Sequence, residues 1–438
     1  MIFDPRTRNR LLGSIEANRL VLLCGAGLSI PSPSDLLSAV QVSRTCYDKY
    51  RPTLELPASM RDDVAQLAEH FYGTHEFESV FLGALVPWDD LVGQPNIGHA
   101  AVADFLICRA AEGALSANFD PLIEHWASMR KINMSGALTG QEAATFGRDR
   151  GPLVKFHGCL TRDKNRTLWT QAQIAEAVIA ARIASCSAWM NLNLPGKDLL
   201  VVGFWTDWGY LNDVIVNALN LDPFGSVTVV DPKEDSDLQA TAPGLWARLM
   251  GGTAHFLHVA ASGSDALNEL RLEFSKVWAR KFFDLGKTPL EAAGKKYSAV
   301  DPAMTCEEFY SFRQDAEGIP YHKAARQKTP PASAATTSFF HLLLIDAKAN
   351  RKGPWYEHGG KIIRVIHGAG EAVSTVQGRY REPPAALKPD LVVCAGALDI
   401  PVPGHLISLG AGASVVRPGT GGGVPWLTLE QARIELKI

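Results

Sequence analysis

The feature that most constrains the fold is a series of short apolar runs that alternate with amphipathic segments over the first 260 residues. Each run has four to six mostly apolar residues, as expected for strands buried on both faces of a sheet. The alternation predicts an α/β fold, a Rossmann-like parallel sheet with helices on both faces. The predicted strands are residues 20–24, 114–117, 153–156, 199–202, 227–230 and 254–259.

The first predicted strand runs directly into a glycine turn. Gly25, Ala26 and Gly27 follow it, and Ser29 comes two residues later. Glycines at such a turn let the backbone bend sharply and bring N–H groups close to a phosphate. A dinucleotide dehydrogenase would have a third glycine where this chain has Ile30, so hydride transfer is disfavoured.

Polar side chains also follow the next two strands. Ser116, Asn118 and Asp120 lie around the end of the second strand, and His157 with Gly158 ends the third. Because the carboxyl ends of parallel strands border the crevice in which open α/β sheets bind ligands, these residues are predicted to share one site. The alternatives are that Asn118 and Asp120 only cap the following helix, and that His157 is an ordinary buried polar residue.

The fourth and fifth strands end in the same way. Gly203 ends the fourth, with Asp207 in the turn that follows, and Asp231 ends the fifth. Five consecutive strand ends with small or polar residues favour a ligand site over coincidence.

This ordered series resembles the sirtuin family, whose motifs run G-A-G-x-S, P-N-x-x-H, T-Q-N-x-D and H-G, followed by a strand with a glycine turn and a strand ending near the adenosine ribose. The resemblance covers about residues 18 to 260. It implies that NAD binds at the strand ends. The residues it assigns to NAD binding are Gly25, Ala26, Gly27, Ser29, Ser116, Gly203, Asp207 and Asp231.

The resemblance also implies three catalytic residues. His157 would be the general base, with a pKa near the ordinary value of about 6.5. Asn118 would orient a water molecule or a ribose hydroxyl, and Asp120 would hold the nicotinamide carboxamide. The expected reaction is cleavage of the nicotinamide–ribose bond, which gives nicotinamide and ADP-ribose.

Three departures distinguish the chain from deacylating sirtuins. Those enzymes carry four zinc cysteines soon after H-G, whereas this chain has only Cys159 and Cys186 in that interval, and no C-x-x-C pair. The loops that bind the acyl-lysine peptide are replaced by SIPSPSDLL and RTLWTQAQI. The remaining NAD half resembles divergent sirtuin-like NAD hydrolases of bacterial antiphage defence. No zinc is expected, and water is the expected acceptor.

Several functions and partners stay open on this reading. A subunit that senses NAD or ADP-ribose without turnover and an NAD-dependent protein deacylase are the alternatives. A free hydrolase would exhaust cellular NAD, so the activity is expected to be gated and to deplete NAD in abortive infection. The expected partners are further copies of the chain or a co-encoded sensor, such as an Argonaute, a translocase ATPase or a nucleotide-sensing protein.

Charge and hydropathy exclude other classes. The chain has 46 acidic and 43 basic residues, a net charge of -3, so no direct nucleic-acid or membrane-surface binding is predicted. The first twenty residues lack the apolar core of a secretory signal, and no run approaches the length of a membrane helix. A cytoplasmic protein with reduced cysteines is expected.

The pattern predicts three segments. Residues 1–285 form the catalytic domain, with a helical insertion at about 34–90 that caps the carboxyl edge of the sheet. Residues 286–334 form a helical connector and linker. Residues 335–438 form a small β-rich module for assembly or partner binding, built from the runs FFHLLLID, KIIRVIHG, DLVVCAG and GHLISLG. Its HGAGEA, GAGAS and PGTGGG stretches are interpreted as turns, because no Lys-Ser/Thr follows the glycines.

Overall fold

The computed structural model describes all residues except 51–55, 149, 208, 221–224, 252–254, 319–327, 369–386 and 396–423. The chain forms two compact units, Met1–Arg271 and Leu272–Ile438. Within the described part of the chain, no helix is both long and apolar enough to cross a membrane.

The first unit contains the predicted parallel sheet, so the α/β fold class is confirmed. All six predicted strands form, within two residues of their predicted bounds. They are β1 (Leu20–Cys24), β2 (Gly113–Ser116), β3 (Leu153–Lys155), β4 (Asp198–Val202), β5 (Ser226–Val230) and β6 (His255–Val259). All five residues of β1 are buried, which explains why this strand reads as an unbroken apolar run.

The strand order is β3-β2-β1-β4-β5-β6, and every pairing in this sheet is parallel. The chain builds outwards from β1 to β3 and then crosses back to place β4 on the other side of β1. This reversal is a topological switch point, the usual place of a ligand site in an open α/β sheet. The fold therefore places a potential site just beyond β1.

Helices surround this sheet. They are α1 (Pro5–Glu16), α2 (Ala39–Tyr50), α3 (Val64–Gly73), α4 (Ile97–Ile107), α5 (Leu122–Met129), α6 (Gly140–Phe146), α7 (Ala177–Asn193), α8 (Gly209–Asn220), α9 (Asp235–Thr241), α10 (Pro243–Gly251) and α11 (Gly263–Leu285). The first unit ends within α11. The predicted insertion is helical: α2, α3 and a π-helical segment, Phe77–Leu85, pack around their own core, in which Phe71 and Phe81 are fully buried.

The second unit has a small mixed sheet of order β11-β10-β9-β8-β7, so the predicted strand-rich module is confirmed. Its strands are β7 (Asn350–Lys352), β8 (Trp355–His358), β9 (Lys361–His367), β10 (Leu391–Ala395) and β11 (Trp426–Thr428). Its helices are α12 (Lys287–Ala292), α13 (Cys306–Glu317), α14 (Ala335–Asp346) and α15 (Leu429–Leu436). The runs KIIRVIHG and DLVVCAG supply β9 and β10.

One run in this unit was wrongly interpreted. FFHLLLID was predicted to be a strand and lies instead in α14, where Phe340 and Leu342 to Leu344 are all buried. A helix that is apolar on every side has no amphipathic period, so periodicity could not separate it from a buried strand. GHLISLG, GAGAS, PGTGGG and most of HGAGEA lie outside the described residues.

The core of the second unit contains buried charges. Arg364 on β9 donates two hydrogen bonds to Asp315 on α13, at 2.8 and 2.7 Å, and both side chains are buried. Arg313 pairs with Glu317 on the same helix, where burial raises the pKa of Glu317 to about 7. Such pairs contribute little net stability but are costly to break, so the Arg364–Asp315 pair fixes how α13 packs on its sheet. The functional bounds at 285 and 334 stay predictions.

Candidate functional site

A pocket of about 350 Å³ lies at the carboxyl edge of the six-stranded sheet, beyond the switch point. The insertion supplies an apolar wall made of Leu36, Leu37, Ala39, Val42, Val64, Ala65 and Leu91. The strand ends supply Ala26, Ser29, Asn118, Asp120, His157 and Gly203. A mostly apolar cavity with a few convergent polar groups is the usual form of a small-molecule site. Six of the predicted site residues are therefore brought together.

The glycine turn packs against the loop after β4. A Cβ atom on Gly25 would lie 2.5 Å from the Gly203 carbonyl oxygen, and one on Gly27 would lie 2.7 Å from Gly203 Cα. The Gly25 N–H donates to Val202 O, and the Gly27 N–H donates to Gly203 O at 2.9 Å. These glycines thus serve backbone packing, which differs from the expected exposure of their N–H groups to a phosphate.

Ala26 is the member of this turn that lines the pocket, and it is exposed. Among the described residues, its backbone N–H has no acceptor. The glycines on either side therefore hold Ala26 in place, and Ala26 is the residue of the turn that a ligand can reach.

Ser29 is the centre of a hydrogen-bond network that we call the serine hub, formed by Ser29, His99, Asn118 and Asp120. The Ser29 hydroxyl donates to Asp120 Oδ2 at 2.9 Å. It accepts from Asn118 Nδ2 at 3.1 Å and lies 3.0 Å from His99 Nε2. Both lone pairs and the hydrogen of this hydroxyl are therefore used within the protein.

His99 was not among the predicted site residues. It is fully buried at the start of α4, where the Asn96 backbone N–H donates to its Nδ1 at 3.2 Å. Its proton therefore lies on Nε2, which donates to Ser29. Burial lowers the pKa of His99 to about 4, so the ring is neutral at pH 7. The signal for it in the sequence is the P-N-x-x-H motif, which by itself predicts only a helix start near Asn96.

Asn118 and Asp120 join the hub to the strand end after β2. Asn118 Nδ2 also donates to the Gly25 carbonyl oxygen at 3.0 Å, so both amide hydrogens are engaged and only Oδ1 is left for a ligand. Asp120 Oδ1 accepts from the Leu122 N–H at the start of α5. Asp120 therefore caps α5 and also lines the pocket, two roles that the sequence offers as alternatives. Ser116 is buried, and its hydroxyl accepts from the Asn118 N–H at 3.1 Å.

A buried lysine, Lys155, holds the loop that carries Asp120 of the hub. Lys155 on β3 is 1% exposed, pairs with Glu124 at 3.1 Å and donates to the Asp120 carbonyl oxygen. Burial lowers its pKa, but the charges of Glu124, Cys159 and Asp120 outweigh this effect, and the net pKa is raised. Lys155 therefore stays charged and holds the Asp120 loop. The hydrophobic pattern of the sequence does not point to Lys155, because this residue lies within an apolar run.

His157 faces the pocket from the end of β3. It is 5% exposed, and its Nε2 lies 3.0 Å from the hydroxyl of Tyr210 on α8. Burial and, secondly, the charge of Arg182 lower its pKa to about 3. The expected pKa near 6.5 is therefore wrong for this state. We call His157 and Tyr210 the histidine pair; Tyr210 was also missed by the sequence, since it lies 53 positions away.

Asp207 and Asp231, like Gly25, Gly27 and Ser116, lie outside the pocket lining. Asp207 accepts from the Gly244 and Leu245 N–H groups at 2.9 and 2.7 Å and so caps α10. Asp231 is half-buried after β5, and its carboxylate accepts from the Lys233 N–H at 3.0 Å. Contact of either residue with NAD stays a prediction.

The cysteines of the H-G region have separate surroundings. Cys159 Sγ lies 3.6 Å from Lys155 Nζ, and Cys186 Sγ contacts the Leu138 carbonyl oxygen. In the described ranges, no group of three or more His, Cys, Asp or Glu side chains is placed to hold a metal ion.

Comparisons with known proteins find likeness in solved structures. No protein-family profile and no curated protein sequence matches the chain. A Sir2 homologue in complex with NAD is 15% identical, with a TM-score of 0.35, over 60% of this chain and 91% of the other. Sir2Tm bound to a propionylated peptide is 13% identical, with a TM-score of 0.35, over 60% and 97%.

A third structure, which concerns the mechanism and regulation of Sir2 enzymes, is 12% identical, with a TM-score of 0.32, over 61% of this chain and 96% of the other. All three are Sir2 enzymes, the family whose motifs this chain resembles. At these identities and TM-scores, neither the fold nor a residue role is taken from the likeness.

Proposed function

We propose that this chain binds NAD at the switch-point pocket and hydrolyses its nicotinamide–ribose bond, releasing nicotinamide and ADP-ribose. The observation that carries the proposal is the convergence of Ser29, Asn118, Asp120 and His157 from three strand ends on one pocket. NAD supplies a cationic leaving group, so the protein has to contribute position and a matched electrostatic field rather than a strong acid.

Asn118 is suited to orient the acceptor. With both amide hydrogens engaged, its Oδ1 can only accept, which matches a water molecule or a ribose hydroxyl that must be held with its oxygen towards the reacting carbon. Ser29 of the hub and the Gly25 carbonyl oxygen hold this amide in place. Asn118 thus orients a donor without having to reorganise during the reaction.

His157 is suited to remove the proton. A neutral imidazole can accept one, and general bases of this kind contribute roughly 10²- to 10⁴-fold to a rate. Its pKa of about 3 makes it a weak base. The phosphates of bound NAD would raise this pKa, because nearby negative charge favours the protonated form. Asp120, buried beside Asn118, would hold the carboxamide.

The rest of the predicted NAD site belongs to the proposal. The Ala26 N–H would receive a phosphate, with Gly25, Gly27 and Gly203 shaping the turn. Ser29 and Ser116 would act through the network around Asn118. Asp207 and Asp231 would border the adenosine side.

Two specific observations favour other functions. The apolar wall from Leu36, Val42, Val64 and Leu91 could receive an acyl chain, which favours an NAD-dependent deacylase. The engaged Nε2 of His157 favours a subunit that binds NAD or ADP-ribose without turnover. Against deacylation stand the replaced peptide loops and the absent zinc cysteines of the sequence.

Gating and biological context complete the proposal. We propose an activity that is switched on by assembly or by a co-encoded sensor, such as an Argonaute, a translocase ATPase or a nucleotide-sensing protein, and that depletes NAD in antiphage defence. What supports this is the sequence resemblance and the cost to a cell of unregulated NAD hydrolysis.

The experiment follows NAD and its products in the purified full chain, with and without an acyl-lysine peptide. We expect nicotinamide and ADP-ribose in a 1:1 ratio, independent of peptide, and a fall of about 100-fold or more in His157→Ala and Asn118→Ala. His75→Asn, at an exposed histidine of the insertion, is the matched control and should keep the parent rate.

Two results would contradict the proposal. A product that contains the acyl group of the peptide would establish the deacylase. Saturable NAD binding without any nicotinamide release, under every assembly condition tried, would establish the sensor.

A further inference from the structure

Tyr210 is placed to control His157. Its hydroxyl lies 3.0 Å from His157 Nε2, and its ring packs against a small apolar cluster made of Leu168, Ile179 and Ile183. His157 lines the pocket, whereas Tyr210 does not. The tyrosine therefore contacts the histidine without itself lining the pocket.

The direction of this hydrogen bond follows from the two ionisation states. Burial raises the pKa of Tyr210, so the phenol keeps its proton. Burial lowers the pKa of His157 to about 3, so the imidazole is neutral and has one nitrogen that donates and one that accepts. The phenol O–H is the stronger donor and the bare ring nitrogen the stronger acceptor. In the favoured arrangement Tyr210 donates to Nε2, and the ring proton lies on Nδ1.

This arrangement removes the basicity of His157. The one lone pair of the neutral ring that could take a proton is occupied by the tyrosine, and the other nitrogen already carries a hydrogen. The guanidinium of Arg182, held by Asp163 and by the Arg166 carbonyl oxygen, adds positive charge close to the ring. In this arrangement the neutral ring of His157 has no lone pair left to take a proton from a ligand.

We propose that Tyr210 is a positioning residue that latches His157 in a resting state: its hydroxyl donates to Nε2, fixes the ring proton on Nδ1 and prevents His157 from accepting a proton until α8 moves. The activity part of this inference rests on the proposed NAD hydrolysis, whereas the tautomer part does not. A partner, assembly contact or ligand that displaces the start of α8 would release the base.

The first test measures the tautomer without any reaction. The full chain is labelled with ¹⁵N-histidine, and the His157 signals are assigned by their loss in His157→Gln. In the parent at pH 7.5 we expect a hydrogen-bonded, unprotonated Nε2 and a protonated Nδ1. In Tyr210→Phe, which keeps the packed ring and removes only the hydroxyl, the Nε2-protonated tautomer should appear.

The second test measures nicotinamide release from NAD by the same proteins. Tyr210→Phe should be faster than the parent by about fivefold, the factor that one hydrogen bond of about 1 kcal/mol represents. Tyr47→Phe is the matched control, since it also removes a buried hydroxyl, one that donates to Leu56 O within the insertion. It should change neither the His157 signals nor the rate.

The outcomes separate the two proposals. A parent whose Nε2 carries the proton, or a Tyr210→Phe variant whose His157 signals equal those of the parent, overturns the latch. A slower Tyr210→Phe with the expected tautomer change also overturns it, because the hydroxyl then assists the reaction. The expected tautomer change with no nicotinamide release from either protein supports the latch and refutes the hydrolase.

Discussion

The serine hub and the histidine pair lie at the same pocket and are built differently. Ser29 is 2% exposed, and all of its hydrogen-bonding capacity is used by partners from the loops after β2 and from α4. His157 lies two residues after β3, its carbonyl oxygen accepts from the Leu168 N–H, and its ring lies 3.0 Å from the hydroxyl of Tyr210 on α8. The hub, with more hydrogen bonds, holds the side chains that line the pocket. We expect the protonation and hydrogen bonding of the histidine pair to change without moving those side chains.

The prediction with the largest expected effect concerns Lys155, which holds the Asp120 loop of the hub. In Lys155→Met, the carboxylate of Glu124 stays largely buried without its partner, and the Asp120 carbonyl oxygen loses a donor. We expect the free energy of unfolding of the first unit to fall by about 3–5 kcal/mol. Urea unfolding of the full chain measures this loss.

The double variant Lys155→Met with Glu124→Gln is the control, and it should recover part of the loss because no buried charge is left unpaired. A loss below about 1 kcal/mol in the single variant would mean that the hub does not depend on Lys155.

A second test lowers the pH until His99 of the hub becomes protonated. His99 is neutral in the folded chain, with a pKa of about 4 against 6.5 unfolded, so the unfolded chain takes up the proton first as the pH falls. The stabilising contribution is complete above pH 6.5 and is lost as the pH falls towards 4, by about 3 kcal/mol in total. His157 contributes in the same direction.

Urea unfolding of the parent and of His99→Asn between pH 4.5 and 7.5 isolates the part that belongs to His99. The stability difference between the two should shrink as the pH falls. An unchanged difference would show that His99 is not buried as the structure places it.

The prediction with the smallest expected effect compares the stability lost when one hydroxyl is removed from the hub and when one is removed from the histidine pair. Ser29→Ala leaves the Nε2 hydrogen of His99 and one of the two amide hydrogens of Asn118 without their acceptor, and Asp120 Oδ2 without its donor, and we expect a loss of about 1–3 kcal/mol. Tyr210→Phe removes one hydrogen bond and should cost less. Parallel urea titrations measure both variants. A greater loss in Tyr210→Phe would reverse the assignment of the hub as the more rigid half.

The sequence predicted the large sheet because each of its strands is buried on both faces and is recognisable as a short apolar run. It predicted Ser29, Asn118, Asp120 and His157 as one group because parallel strands bring their carboxyl ends to the same edge. Neither step requires knowledge of side-chain packing.

The missed features all depend on packing. Tyr210 and Lys155 become relevant only through partners far along the chain. Asp207 looked like a ligand residue and caps α10, a helix that begins 36 residues later, so local reading could not find that role. The run in α14 was misassigned because a fully buried helix and a fully buried strand have the same composition.

The position of β1 has a consequence for biosynthesis. Val21 of β1 pairs with Gly113 of β2 on one side and with Leu199 of β4 on the other, so the central strand lacks one partner until β4 has been made. At roughly 5–20 residues per second, translation leaves that edge open for about ten seconds or longer. An unpaired apolar edge invites aggregation, so folding on the ribosome is expected to need shielding by a chaperone. It also means that a truncated chain ending before β4 cannot assemble the pocket.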